Sequence, residues 1–210
     1  MNGDSLRVNL PCKDDLLGDK LTAFAPNTTG IPYVKRVMGR GGQWEERHCS
    51  MEIIKQLFDI SSLFDRIHDL GIVRTTFEKI AAVELEYRGM DSRNLSPILD
   101  DIYKSAELIC TGIYTNDQSF EYQELVRGIN RIKSLILCER YNHYSAIVNA
   151  SKAAYLSVLL KKGINKVQHF DPAVDLMPVK LESPIHPAIN KIKTIRPEAF
   201  FYWMQIEKIL

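Results

Sequence analysis

Residues 51–65 read M-E-I-I-K-Q-L-F-D-I-S-S-L-F-D. Ile53, Ile54, Leu57, Ile60, Leu63 and Phe64 recur at helical spacing, and Ile67 prolongs the stripe. Turned at about 100° per residue, Glu52, Lys55, Asp59, Ser62, Arg66 and Asp69 fall on the opposite face. The pattern predicts an amphipathic helix from Met51 to Leu70, with Ser50 as its N-cap and Gly71 closing it.

Upstream, D-D-L-L-G-D-K-L-T-A-F-A-P (Asp14 to Pro26) predicts a first helix over Cys12–Ala25. Asp14 and Asp15 lie in its first turn, where carboxylates meet the positive end of the helix dipole. Leu16, Leu17, Leu21 and Phe24 are its apolar side, and Pro26 stops it. Asn27 to Gly42 reads as a loop with a basic cluster of Lys35, Arg36 and Arg40, kept flexible by Gly39, Gly41 and Gly42. No G-K-[ST] follows those glycines, so this is not a P-loop. Before the first helix, S-L-R-V-N-L (Ser5 to Leu10) alternates as a short strand that Pro11 ends.

Downstream, helices are expected over Thr75–Tyr87, Ser96–Tyr114, Ser119–Arg140 and Tyr144–Lys162, and again from Pro197. Asn165 to Ile195, broken by Pro172, Pro178, Pro184 and Pro187, is expected to be mainly irregular. The chain therefore reads as mainly α: a single helical domain over 1–210, of about seven helices with a short N-terminal strand.

Composition sets the outer bounds. A net charge of +1 gives no global basic field for nonspecific nucleic-acid binding. Cys12, Cys49, Cys110 and Cys138 form no C-x-x-C pair and read as reduced, mostly buried small hydrophobes. Without a leader pattern or a long apolar run, the sequence reads as cytoplasmic and not membrane-bound.

The phrase L-L-G-D-K-L-T-A-F-A-P-N-T-T-G-I-P-Y (Leu16 to Tyr33), followed by Lys55-Gln56-Leu57-Phe58-Asp59-Ile60, resembles the AbiEii/AbiGii-type nucleotidyltransferase toxins of bacterial abortive-infection and toxin–antitoxin pairs. The resemblance covers the C-terminal half of that family's active-site region. It implies that 1–70 is a remnant of that region and 71–210 a C-terminal helical array. It also implies that Lys55 and Asp59 are catalytic and that Lys20 and Lys55 contact the nucleotide phosphates. Asp59 would position a basic side chain or an acceptor group, and Gln56 stands where many members carry an acid. The complete family enzyme uses Mg2+ and a nucleoside triphosphate, with RNA as a possible acceptor and an antitoxin as a possible partner. The family's Gly-Ser phosphate loop and paired metal-binding aspartates have no counterpart here. No cofactor, no metal ligand and no stand-alone transfer are therefore expected of this chain.

The residues also support plainer readings. Lys55 and Asp59, four apart, would form a surface ion pair, and Lys20 a snorkelling lysine. Arg36, Arg40 and Arg47 could form a patch for RNA or an acidic partner. The Arg140-Tyr-Asn-His143 run is shorter than the R-x4-6-H motif of helical HEPN ribonucleases. His68, His143, His169 and His186 are too dispersed for a metal site. The aromatics from Phe200 to Trp203 read as core or interface. A noncatalytic helical module holding RNA or a protein is thus the alternative function. Two further expectations follow. Lys20 and Lys55 should converge on one cleft. A homodimer should form through an exposed N-terminal patch comprising the strand stub Leu6–Leu10 with Leu17, Leu21 and Phe24.

Overall fold

The computed structural model describes residues 10–136, 141–182 and 186–210. Among these the chain is mainly helical, with one two-stranded sheet. The elements are α1 (Lys13–Ala23), β1 (Val34–Met38), β2 (Trp44–His48), α2 (Ser50–Phe64) and α3 (Leu70–Tyr87), then α4 (Ser96–Thr115), α5 (Phe120–Ile132), α6 (His143–Lys161), α7 (His186–Asn190) and α8 (Pro197–Ile209). The seven expected helices are present, and the short α7 interrupts the stretch expected to be mainly irregular. The expected strand over Ser5–Leu10, Cys138 and Arg140 lie outside the described residues, except that Leu10 is exposed.

Helix α6 is the hub, packing against α2, α4 and α8. From Ala146 to Leu160 nearly every residue is buried, which is why its sequence lacks a polar face. Phe200, Tyr202 and Trp203 of α8 are buried, and Tyr202 packs on Tyr155 and Phe64. The C-terminal aromatics are core. Cys49 and Cys110 are buried, and burial pushes the Cys110 thiol up to about 12. Cys12 is exposed instead; its Sγ accepts from the Asp15 amide and caps α1.

Helix α1 lies against α2 and α3. At Gly18 a Cβ would stand 2.6 Å from the Val73 carbonyl oxygen, so the missing side chain sets how closely α1 and α3 approach. Leu17, Leu21 and Phe24 are fully buried in this contact, whereas Leu16 is partly exposed. The α1 part of the expected dimer patch is therefore covered by the chain's own helices, while residues 6–9 of the stub lie outside the described residues.

Three expected boundaries are corrected. The helix begun at residue 50 ends at Phe64, not Leu70, and Gly71 lies in the first turn of α3. The reason is long-range. Buried Asp14 accepts from the amides of His68 (3.2 Å) and Asp69 (3.0 Å), breaking the helical ladder there, and the Asp69 side chain then caps α3 at Gly71 (2.7 Å). The acidic first turn of α1 is thus a tertiary tie: Asp15 likewise accepts from Thr76 Oγ1 at 2.7 Å. Helix α5 ends at Ile132 rather than near residue 140. Finally, the expected loop over Asn27–Gly42 contains β1, and Ser50 is the first helical residue rather than the cap. The two strands pair antiparallel with Val34 opposite His48, Arg36 opposite Glu46 and Met38 opposite Trp44. Gly39 to Gly42 make the turn: the Gly42 amide donates to the Gly39 carbonyl, and Gly42 takes a φ of 74°.

Candidate functional site

The two segments that carry the resemblance meet. Helix α1 lays Lys20 against α2, where its Nζ donates to Gln56 Oε1 at 3.1 Å and lies 3.4 Å from Asp59 Oδ2. About a quarter of each charged side chain remains exposed, 26% for Lys20 and 28% for Asp59. Such a pair contributes at most about 1 kcal/mol to stability, so stability alone gives little reason for it. An ammonium has three protons. Gln56 accepts one of them, and the ion pair with Asp59 leaves the ammonium partly open to solvent.

Asp59 thus pairs with Lys20 across helices, not with Lys55 one turn away. Lys55 is exposed and makes no hydrogen bond or ion pair among the described residues. Lys20, Gln56 and Asp59 touch; Lys55 stands beside them on α2 without touching Lys20.

A second polar cluster, missed from sequence, lies where the hairpin meets α5. Gly128 packs so tightly on the start of α2 that a Cβ would stand 2.2 Å from the Ser50 carbonyl oxygen. One turn earlier on the same face, Glu124 is thereby buried to 2% exposure. Its Oε2 accepts from Ser50 Oγ at 2.5 Å and lies 2.9 Å from His48 Nδ1, while Oε1 pairs with Arg127 at 2.8 Å. Burial by itself pushes the Glu124 carboxyl up. The hydrogen bonds from Ser50 and His48 and the Arg127 charge outweigh it and hold the group below its ordinary value. The legible signal was a glutamate on the stripe that also carries Leu125, Gly128, Ile129 and Ile132.

The third cluster lines a cleft of about 510 Å³ between α2, α6 and α8. Its walls include Phe58, Ser62, Asn149 and Arg196, and its floor is Lys152, only 4% exposed. Lys152 Nζ reaches both oxygens of Asp65 (2.8 and 2.9 Å) and Glu198 (2.9 Å), and stands 5.6 Å from the centre of the Phe64 ring. With its protons engaged by two carboxylates, Lys152 clamps three helices together and offers no charge to a ligand. One lysine inside A-S-K-A-A, on a helix apolar all round, was the signal for it.

His143, at the start of α6, gives the protein a pH dependence. Burial lowers its pKa below the ordinary 6.5, and its Nε2 is buried without a hydrogen-bond partner among the described residues. The fold favours the neutral ring. Its contribution is complete above pH 6.5 and declines as the pH falls through 6.5 toward the folded-state value. Glu124 adds a second decline, since its contribution is complete above its ordinary 4.5 and is lost as the pH falls through its lower folded-state value. We expect the thermal midpoint to be level from neutrality to about pH 9.0, the ordinary value of the buried Cys110 thiol, and to drop in two stages on acidification. His143→Gln should flatten the upper stage and leave the lower one. An unchanged upper stage in that variant would refute the assignment.

Among the described residues no group of three or more His, Cys, Asp or Glu side chains is placed to hold a metal ion, and no helix is long and apolar enough to cross a membrane. Comparison of the chain with protein-family models, with curated proteins and with solved structures found no match.

Proposed function

We propose that this chain is a cytoplasmic protein supplying the triphosphate-contacting helices of an AbiEii-like nucleotidyltransferase, with Lys20 and Lys55 as the phosphate contacts. What supports this reading is the contact of Lys20 with Gln56 and Asp59. The two motif segments, remote in sequence, come together through the side chains that the resemblance singles out.

The chemistry is electrostatic. Transfer of a nucleotidyl group develops negative charge on the leaving pyrophosphate, and fixed ammonium groups offset it. Asp59 and Gln56 hold the partly exposed Lys20 ammonium in place to donate to a phosphate oxygen. Lys55, exposed on the neighbouring turn, adds a second charge. Asp59 is a positioning residue in this scheme. The donor set does not fit Mg2+: the carboxylate in contact with Lys20 is already engaged, and a neutral amide at Gln56 is a weak ligand for a hard cation. When bound elsewhere in a complete enzyme, Mg2+ would neutralise the triphosphate. This chain's own residues orient the phosphates and do not by themselves complete a transferase.

Calorimetric titration with nucleoside triphosphates tests this. Lys20→Ala should weaken binding about tenfold, the scale of one lost charge-assisted hydrogen bond. Lys55→Ala should weaken it less, and incubation with labelled triphosphate, Mg2+ and RNA should leave the RNA unlabelled. Triphosphate affinity unmoved by the double variant would overturn the phosphate assignment. Label on RNA that is lost in Asp59→Ala would overturn the noncatalytic one.

A further inference from the structure

The hairpin β1–β2 is the one sheet among the described residues, and it is unlike the helical body in what it exposes. Its base is fixed. The Cys49 amide donates to the Tyr33 carbonyl at 2.8 Å, Tyr33 is buried edge-on to Phe120, and His48 is held on Glu124. Its far end is bare. Met38 and Trp44, directly opposite each other, are 58% and 65% exposed. Strand alternation puts Arg36 and Glu46 next to them on the same face, with Arg40 in the adjoining turn.

Charge narrows what could cover this aromatic end. Between Val34 and His48 lie Lys35, Arg36, Arg40 and Arg47 against Glu45 and Glu46, an excess of two positive charges in a chain whose net charge is +1. Of the acids, the Glu45 carboxylate lies over Gly39, while Glu46 stands opposite Arg36 without forming an ion pair with it among the described residues. Arg47 is engaged by Glu52 at 3.0 Å. Lys35, Arg36 and Arg40 make no hydrogen bond or ion pair among the described residues. An apolar protein partner would leave those cations unpaired beside it, whereas a phosphate backbone answers them while a base covers the indole.

We propose that the hairpin tip is a docking surface for single-stranded nucleic acid, with a base stacked on Trp44 against Met38 and phosphates on Arg36 and Arg40. A duplex fits poorly, because its stacked bases cannot cover an indole. The inference does not rest on the transferase reading, since its test contains no nucleoside triphosphate.

The chain itself supplies the probe. It has two tryptophans, and Trp203 is fully buried, so a base stacking on Trp44 is read as quenching of the exposed indole. We expect short oligouridylate or oligodeoxythymidylate to quench this emission at low salt. The same oligomers paired into duplex should quench far less. Either single strand binding supports the surface, and tighter binding of RNA would add a contact to the 2′-hydroxyl. Trp44→Ala, followed by fluorescence anisotropy of labelled oligomer, should lose roughly tenfold or more in affinity. Its circular dichroism and thermal midpoint should stay unchanged, because the side chain is mostly exposed. With two phosphates engaged, the slope of log affinity against log salt should be about −1.4, falling toward zero in the Arg36→Gln/Arg40→Gln variant. Absent quenching and absent binding at low salt would overturn the proposal. So would affinity retained in Trp44→Ala, equal binding of duplex, or self-association that Trp44→Ala abolishes without any nucleic-acid binding.

Discussion

Gly128→Val will destabilise the protein by about 3–5 kcal/mol, the combined scale of overpacking and of losing charge-assisted hydrogen bonds to a buried group. Helix propensity alone predicts the opposite direction for Gly128→Ala, a gain of up to about 1 kcal/mol. Packing decides the sign. A Cβ here would stand 2.2 Å from the Ser50 carbonyl oxygen, 2.7 Å from Ser50 C and 2.7 Å from Ile54 Cγ1. Two of those atoms are backbone, so α5 must move away from α2. Glu124, one turn back, then loses its reach to Ser50 and His48 and stays buried with fewer donors. Alanine should cost about 2 kcal/mol and valine more, both as a lower denaturant midpoint at an unchanged slope. An alanine variant at or above the parent's stability would show that the two helices can separate freely.

The second large effect is at Asp101. This carboxylate is 5% exposed on α4 and holds the N-T-T-G loop against the body. It accepts from the Asn27 amide (2.8 Å), Asn27 Nδ2 (2.8 Å), Thr28 Oγ1 (2.9 Å) and Ser105 Oγ (3.4 Å). Asp101→Ala strands several of those donors, each costing about 1–3 kcal/mol if left unpaired, and some will recover water because the loop is near the surface. We expect a loss of about 3–4 kcal/mol on that basis. Asp101→Asn keeps the shape but turns an NH2 toward a donor, and should lose about 2 kcal/mol. Chemical denaturation of both variants measures this. Asparagine equal to the parent would show that acceptor capacity at this position is not what anchors the loop.

These two sites bracket what sequence patterning reaches. The stripe of α2 was legible because Ile53, Ile54, Leu57 and Ile60 repeat at the helical period, and all four are fully buried. The hairpin was not legible. V-K-R-V-M and W-E-E-R-H lack clean alternation because neither strand buries a whole face, and the three glycines between them suggest slack as readily as a turn. Lys20 and Asp59 could be paired on paper only through the resemblance. Their contact depends on the angle at which α1 crosses α2, and no local pattern encodes that angle.

Periodicity, punctuation by proline and glycine, and composition determined a mainly helical chain, since each records how one segment meets water and core. Where α2 stops, which acids are ties and which are solvated, and that Ser50 serves Glu124 rather than capping its own helix were decided only in the tertiary structure. The physical reason is common to all of them. A carboxylate or hydroxyl takes whichever donor or acceptor the packed helices bring within about 3 Å, and that partner lies dozens of residues away.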